Sequence, residues 1–254
     1  MQYPLDLLVV MPVYNEAECI AGVLKSWLQC LDGLAIRYQI LAINDGSKDA
    51  TGQQLEQFVG DPRIQIINKQ NAGHGPTILQ GYRTAVGLAS WVFQCDSDDE
   101  MRAEHFPRLW HRRNEFDAIF GIRAGRQQQA DRKIISAVSR SLVRLLFGRG
   151  VVDVNTPYRL MRSSCLRQIV AQIPADTFAP NIIISGTFAR AKLRILNEAV
   201  PHEGRRTGQV SIMKWKLWKA ASRAFLQTLR CRPRLDRACS SDSDNTSEEV
   251  SHSS

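Results

Sequence analysis

The chain has 254 residues, of which 44% are hydrophobic and 23% charged, with a formal net charge of +8 and a pI near 9.4. That balance is ordinary for a folded globular chain and excludes a wholly disordered or fibrous one, and the length suits one large α/β domain or two small ones. The charge is uneven: residues 202–239 carry ten Lys and Arg against Glu203 and Asp236, whereas residues 240–254 carry four acids and neither Lys nor Arg. Such a basic segment suits a phosphate-bearing partner (nucleic acid, an anionic membrane or a phosphorylated small molecule), and it equally suits a solvated basic helix.

Six cysteines, at 19, 30, 95, 165, 231 and 239, form no C-x-x-C pair, and no His stands at metal-finger spacing. Reduced thiols in a cytoplasmic protein are expected. The start, MQYPLDLLVVMP, has no basic region ahead of a long apolar stretch and reads poorly as a signal peptide. No apolar run approaches the roughly 18–20 residues that cross a bilayer.

Residues 7–10 are continuously apolar and precede Pro12, which predicts a short buried strand. Asn15 is placed to cap a following helix, whose Ile20, Val23, Leu24, Trp27, Leu28 and Leu31 recur at three- and four-residue steps. A strand over 40–43 ends in NDGS. A more polar helix over about 51–59, a strand over 64–67, and a helix from Pro76 to about Ala89 follow. Residues 91–95 predict a fourth strand, 104–114 a helix and 118–121 a fifth strand.

A polar, basic loop, RAGRQQQADRK, leads to an amphipathic helix over 134–147. A turn at 155–157 and buried pieces at 182–184 and 193–200 come next. Residues 211–230 predict a basic helix with Trp215, Trp218 and Phe225, and the Ser- and Asp-rich remainder from about 233 is expected to be disordered. The expected division is therefore a domain over 1–210, a basic amphipathic helix over 211–232 and an acidic tail over 233–254.

Strands alternating with helices predict an α/β fold with a mostly parallel sheet, whose ligand site lies at the carboxyl ends of its strands. The loops there carry the chemistry-bearing residues. In DSDDEM, Asp96, Asp98, Asp99 and Glu100 follow a buried strand. An EF-hand loop is excluded, because the sixth and twelfth positions from Asp96 are Met101 and Pro107. Two readings stay open: acids favouring a helix start, or Asp96 and Asp98 converging on a hard divalent cation such as Mg²⁺ or Mn²⁺, which takes one or two carboxylates plus substrate phosphates. NDGSKD fits an Asx-type turn or a ribose contact. NAGHGPTILQG is a glycine-rich approach to a helix, suited to a phosphate, yet it matches neither the Walker A nor the dinucleotide fingerprint.

VVMPVYNEAECI, NDGSKDAT, NKQNAGHGPTILQGYRTA and QCDSDDEM, in this order, resemble the family 2 glycosyltransferases of GT-A fold, particularly the dolichyl- and polyprenyl-phosphate hexose synthases. The resemblance covers roughly residues 5–211. It implies an inverting transfer of a hexose from a nucleotide-sugar donor, GDP-mannose or a UDP-sugar, to an acceptor such as a polyprenyl phosphate. On the matching positions it places Pro12, Tyr14, Glu16 and Asp45 against the base and ribose, and Asn71 and Gly73 in the loop over the nucleotide. Asp96 and Asp98 take the D-x-D role, Asp98 as direct metal ligand. Many relatives have two acids where this chain has Asn44 and Asp45, and Phe where it has Tyr158.

The resemblance also implies that Arg159 lies near the donor diphosphate or acceptor phosphate, and that His202 and Arg205, with Arg206 beside it, close the donor site. A phosphate acceptor needs no general base, whereas a saccharide hydroxyl would call on Asp99 or Asp153. Residues 211–230 could rest peripherally on the cytoplasmic face of an anionic membrane. A nucleic-acid-binding module is the alternative that the basic C-terminal segment supports; it leaves the acidic cluster unexplained, and no nucleic-acid partner is expected.

Overall fold

The computed structural model describes residues 3–124 and 152–202. Seven strands form one sheet: β1 (Leu5–Val13), β2 (Tyr38–Asp45), β3 (Ile64–Lys69), β4 (Ala89–Gln94), β5 (Ala118–Ala124), β6 (Arg159–Arg162) and β7 (Ile195–Pro201). Their order across the sheet is β3-β2-β1-β4-β6-β5-β7. All neighbours are parallel except around β6, which runs antiparallel to both β4 and β5. The helices are α1 (Ile20–Asp32), α2 (Thr51–Glu56), α3 (His74–Leu88), α4 (Phe106–Arg112), α5 (Ser163–Gln172) and α6 (Pro180–Arg190).

The central strands read as unbroken apolar runs because both faces of the sheet are covered. Successive side chains point to opposite faces. Leu7, Val9, Met11 and Val13 of β1 accordingly enter one core with Ile40 and Ala42 of β2 and Trp91 and Phe93 of β4. Leu8 and Val10, with Leu41, Ile43 and Val92, enter the other. The first core is closed by α1 through Ile20, Val23, Leu24, Trp27 and Leu31, the periodic face expected of that helix. Trp27, Phe93, Phe106 and Tyr158 stack there, with Phe93 centroids 4.6 Å from Phe106 and 4.7 Å from Tyr158. The second core is closed by α3, α5 and α6.

Three local expectations change. Strand β1 does not stop at Pro12 but runs through it, pairing Pro12 with Ile43 of β2. The ladder to β4 ends at the Val10–Gln94 pair, so the missing proline N–H faces a position with no β4 partner. Asn15 does not cap α1; it adopts φ 55° and joins two loops. Residues 182–184 are not an isolated buried piece but part of α6, which opens on Pro180. The expected polar loop 123–133 lies almost wholly outside the described residues. Helix 134–147, helix 211–230, the tail, Arg205 and Arg206 lie wholly outside them.

Candidate active site

A cleft of about 420 Å³ opens where β1, β2 and β4 end and α3 begins, lined by Pro12, Val13, Tyr14, Glu16, Asp45, Asn71, Gly73, His74, Thr77, Asp96, Ser97 and Asp98. Eight of these were expected from sequence: Pro12, Tyr14, Glu16, Asp45, Asn71, Gly73, Asp96 and Asp98. They come from four separate loops, and parallel register places those loops side by side.

The first two loops clasp one another. The Asn15 amide donates to Ser47 Oγ at 3.0 Å, and the Lys48 amide donates back to Asn15 Oδ1 at 2.8 Å. The Glu16 amide donates to the buried Thr51 hydroxyl at 2.8 Å. Asn44, which stands where many relatives have an acid, shapes the second loop: its side chain donates to Asn68 at 2.9 Å and accepts the Ser47 amide at 3.1 Å.

Asp45 has a different task from direct base or ribose contact alone. Its carboxylate accepts the Lys69 ammonium, the Ala72 amide at 2.9 Å and the Gly73 amide at 2.8 Å, while Asn71 Nδ2 donates to its main-chain carbonyl. Burial alone would raise the Asp45 carboxyl, but Lys69 and the two amides together hold it below the usual carboxylate range. Gly73 adopts φ 94°, which favours glycine, and turns the chain into α3, whose amino end faces the cleft. A helix start of this kind offers unpaired amides and partial positive charge to an anion.

Asp96 and Asp98 line the same cleft from the loop after β4. Among the described residues no three His, Cys, Asp or Glu side chains gather as a ready metal cage. Two carboxylates at one wall instead fit a hard divalent cation whose other ligands are substrate phosphates and water. Asp98 also accepts the Glu100 amide at 3.2 Å. His202 meets this loop through Glu100, Nε2 to Oε2 at 2.9 Å, with its side chain nearly buried. The expected His202 therefore reaches the acidic loop but does not line the cleft.

Two expected residues stand elsewhere. Asp99 faces a larger groove of about 1050 Å³ between α1 and α4, together with Arg102, Glu104 and His111, and is not among the cleft residues. Arg159 is fully buried and cannot touch a phosphate as placed. Its guanidinium lies 4.8 Å over the Phe120 ring and donates to the carbonyls of Val154, Thr156 and Asn181 and to Ser185 Oγ. Its burial has a plain cause: β6 is an interior strand, and Arg159 pairs in register with Gln94. Asp153, the other base expected for a hydroxyl acceptor, is held by Arg123, whose Nε and Nη2 donate to it at 2.7 and 2.9 Å.

Sequence reasoning missed Lys69, His74 and Thr77. Lys69 stands opposite Asp45 in the β2–β3 register, so pairing the two strands would have found it. His74 opens α3 with Nε2 3.6 Å from Asp96 Oδ1. Thr77 caps back onto the Gly73 carbonyl at 2.9 Å and accepts Lys69.

Comparison with known proteins agrees with this geometry. The chain is 28% identical over 191 residues to the undecaprenyl-phosphate 4-deoxy-4-formamido-L-arabinose transferase of Pectobacterium atrosepticum, covering 74% of this chain and 57% of that protein. It is 27% identical over 205 residues to the protein of the same name from Edwardsiella ictaluri, covering 79% and 61%. The chain thus spans about three fifths of the length of these curated relatives. Among solved structures, glucosyl-3-phosphoglycerate synthase from Mycobacterium tuberculosis, in complex with Mn²⁺, UDP and phosphoglyceric acid, superposes with a TM-score of 0.67 at 16% identity, over 90% of this chain and 78% of that one. That likeness shows the fold, an α/β fold of GT-A type. The model of glycosyl transferase family 2 matches residues 8–170, which span all four loops of the cleft, and the chain belongs to that family.

Proposed function

We propose that the chain transfers a sugar, with inversion, from a nucleoside-diphosphate sugar to a polyprenyl phosphate, using a divalent cation of the Mg²⁺ or Mn²⁺ kind. The observation that carries this reading is the meeting of Asp96 and Asp98 with the Asp45-braced loop and the start of α3 in one cleft. The names of the curated relatives support the polyprenyl-phosphate acceptor, and the Mn²⁺ and UDP held by the solved neighbour support the donor and the cation.

Each element has a distinct part. Pro12, Tyr14 and Glu16 form the wall for base and ribose. The amino end of α3 receives a diphosphate oxygen with its free amides. Asp96 and Asp98 would hold the cation, which would supply Lewis-acid neutralisation of charge on the leaving diphosphate. An acceptor phosphate attacks as an anion and transfers no proton, in keeping with Asp153 being committed to Arg123 and Asp99 facing the other groove. Arg205 and Arg206, outside the described residues, are assigned to the phosphates. No helix among the described residues is long and apolar enough to cross a membrane. The basic, Trp-bearing residues 211–230 are assigned as a contact with an anionic membrane surface.

The test is thermal unfolding of the full chain with UDP or GDP, each with and without Mn²⁺. A ligand at about a hundred times its dissociation constant adds about 2.7 kcal/mol, a readable shift. The expected result is a Mn²⁺-dependent shift with one nucleotide that Asp98→Ala abolishes, followed by product formation with undecaprenyl phosphate and the matching nucleotide sugar. No shift with either nucleotide would overturn the reading.

A further inference from the structure

Behind Asp96 lies a chain of buried polar groups with no part in the chemistry above. Gln94, at the end of β4, is fully buried, as are Tyr82, Arg159 and Ser185, and Asn181 is nearly so. Gln94 Nε2 donates to Asp96 Oδ1 at 3.1 Å. Its Oε1 faces the other way and accepts Asn181 Nδ2 at 3.0 Å, with the Tyr82 hydroxyl at 3.3 Å. The Tyr82 hydroxyl has one proton to give and donates it at 2.8 Å to Asn181 Oδ1, and the Asn181 main-chain carbonyl accepts Arg159 Nη1 at 3.3 Å.

The orientation of the Gln94 amide is dictated by chemistry. An ionised carboxylate only accepts, so the NH₂ must face Asp96, and the amide oxygen must then be met by a donor. Asn181 Nδ2 is that donor, and the Tyr82 hydroxyl holds Asn181 by donating to its Oδ1. Asn181 is held in α6 and Tyr82 in α3, each packed in the second core or beside it. Asp96 stands just beyond the end of β4, where His74 Nε2 also lies 3.6 Å from its Oδ1. With Gln94 fixed behind it, one rotamer is selected before any ligand arrives. Groups that orient metal ligands in this way commonly change metal affinity by about 10–100-fold when removed.

We infer that Gln94 is a positioning residue for Asp96, holding that carboxylate in the rotamer that meets a cation-bound nucleoside diphosphate, with Asn181 and Tyr82 fixing Gln94 and Arg159 bracing Asn181. This rests on the cation-and-nucleotide reading of the cleft. It also gives the buried Arg159 a reason to be charged and in the core: its fork ties the 154–156 loop and α6 to the back of the site.

The test is calorimetric titration of the full chain with UDP and with GDP, in Mn²⁺ and in EDTA, for the wild type, Gln94→Met, Asp96→Ala and the double variant. Gln94→Met keeps the side chain's length and deletes its polar atoms. The expected result is about tenfold weaker binding in Mn²⁺, little change in EDTA, and no further effect of Gln94→Met once Asp96 is Ala. Equal weakening in both media, or weakening that persists beside Asp96→Ala, means a merely structural role and overturns the inference, as does wild-type affinity in Mn²⁺. Failure of the wild type itself to bind either nucleotide defeats the underlying reading, a result separable from the others. Should Gln94→Met not fold, Tyr82→Phe removes only a hydroxyl from the same chain of groups. It should give a smaller loss in Mn²⁺ with the same dependence on Asp96, and an unchanged affinity there counts against the inference.

Discussion

Lys69 and Asp45 are register partners at the ends of two parallel strands, and the ammonium of one closes directly on the carboxylate of the other. The pair is almost out of solvent, with side-chain exposures of 18% and 5%. The same carboxylate anchors the amides of Ala72 and Gly73, so the pair sets where the glycine-rich loop begins. Removing one partner of such a pair leaves a buried charge without its counterion, which costs more than the pair contributes. Lys69→Met should therefore destabilise by about 3 kcal/mol in urea unfolding, and Asp45→Asn in that background should recover part of the loss. A fully additive double variant would show that the pair is not coupled.

Gly75 lies in the first turn of α3, and a Cβ there would sit 2.1 Å from the Phe178 carbonyl oxygen and 2.5 Å from that of Thr177. Both obstacles are backbone, so the helix start or the 174–178 loop must move. Gly75→Ala should cost at least about 1–3 kcal/mol by overpacking and should also weaken nucleotide binding, because Gly73 and His74 line the cleft. Gly87 in the same helix is the control, since a Cβ there meets nothing within 4 Å. Gly87→Ala should stabilise by about 0.5–1 kcal/mol and leave nucleotide affinity alone. Circular-dichroism melts and titration with nucleotide distinguish the two.

What could be read from the sequence was what local pattern controls. The unbroken apolar run from Leu7 to Val10 and the stripe from Ile20 to Leu31 mark β1 and α1, and parallel topology then brings the four loops together. Pro12 misled, because whether a strand tolerates proline depends on where the neighbouring ladder ends. Helix α6 was missed as a helix because burial surrounds it from Pro180 to Phe188, leaving no polar face to mark a period. The burial of Arg159 was not legible because it depends on β6 running antiparallel between β4 and β5, a long-range fact. The same holds for the contacts of Gln94 with Asn181 and of His202 with Glu100, which join residues remote in sequence.

Phe93 stands three residues before Asp96 and at the centre of the aromatic cluster of the first core, touching Trp27, Phe106 and Tyr158. Truncation opens a cavity that three rigid rings cannot collapse to fill. Phe93→Ala should cost about 3–5 kcal/mol, and Phe93→Leu should cost markedly less. Chemical denaturation of both variants checks the order. A loss below about 1 kcal/mol for Phe93→Ala would mean that the cluster is not tightly packed in solution.

Acid should unfold the protein through carboxylates that the fold holds ionised. Burial would raise Asp117, but the main-chain amide and guanidinium of Arg194 bond it, Arg162 lies near, and the outcome is a lowered value. Asp45 is lowered for the reasons given above, and Asp6 by its bonds to Arg37. A carboxyl with a lower pKa folded than unfolded takes up its proton later in the folded state. Well above the ordinary aspartate value, about 3.9, both states are ionised and stability is flat. As pH falls past that value the unfolded chain binds protons first, so stability drops until the folded-state carboxyls are themselves protonated. Urea midpoints measured from neutral pH downward should stay level, then fall across the acidic range. Asp117→Asn should lower the neutral plateau and flatten the fall, since it removes one of the groups that titrates differently in the two states. Arg37 is exposed and Asp6 partly so, so Asp6→Asn should change little, and less still in high salt.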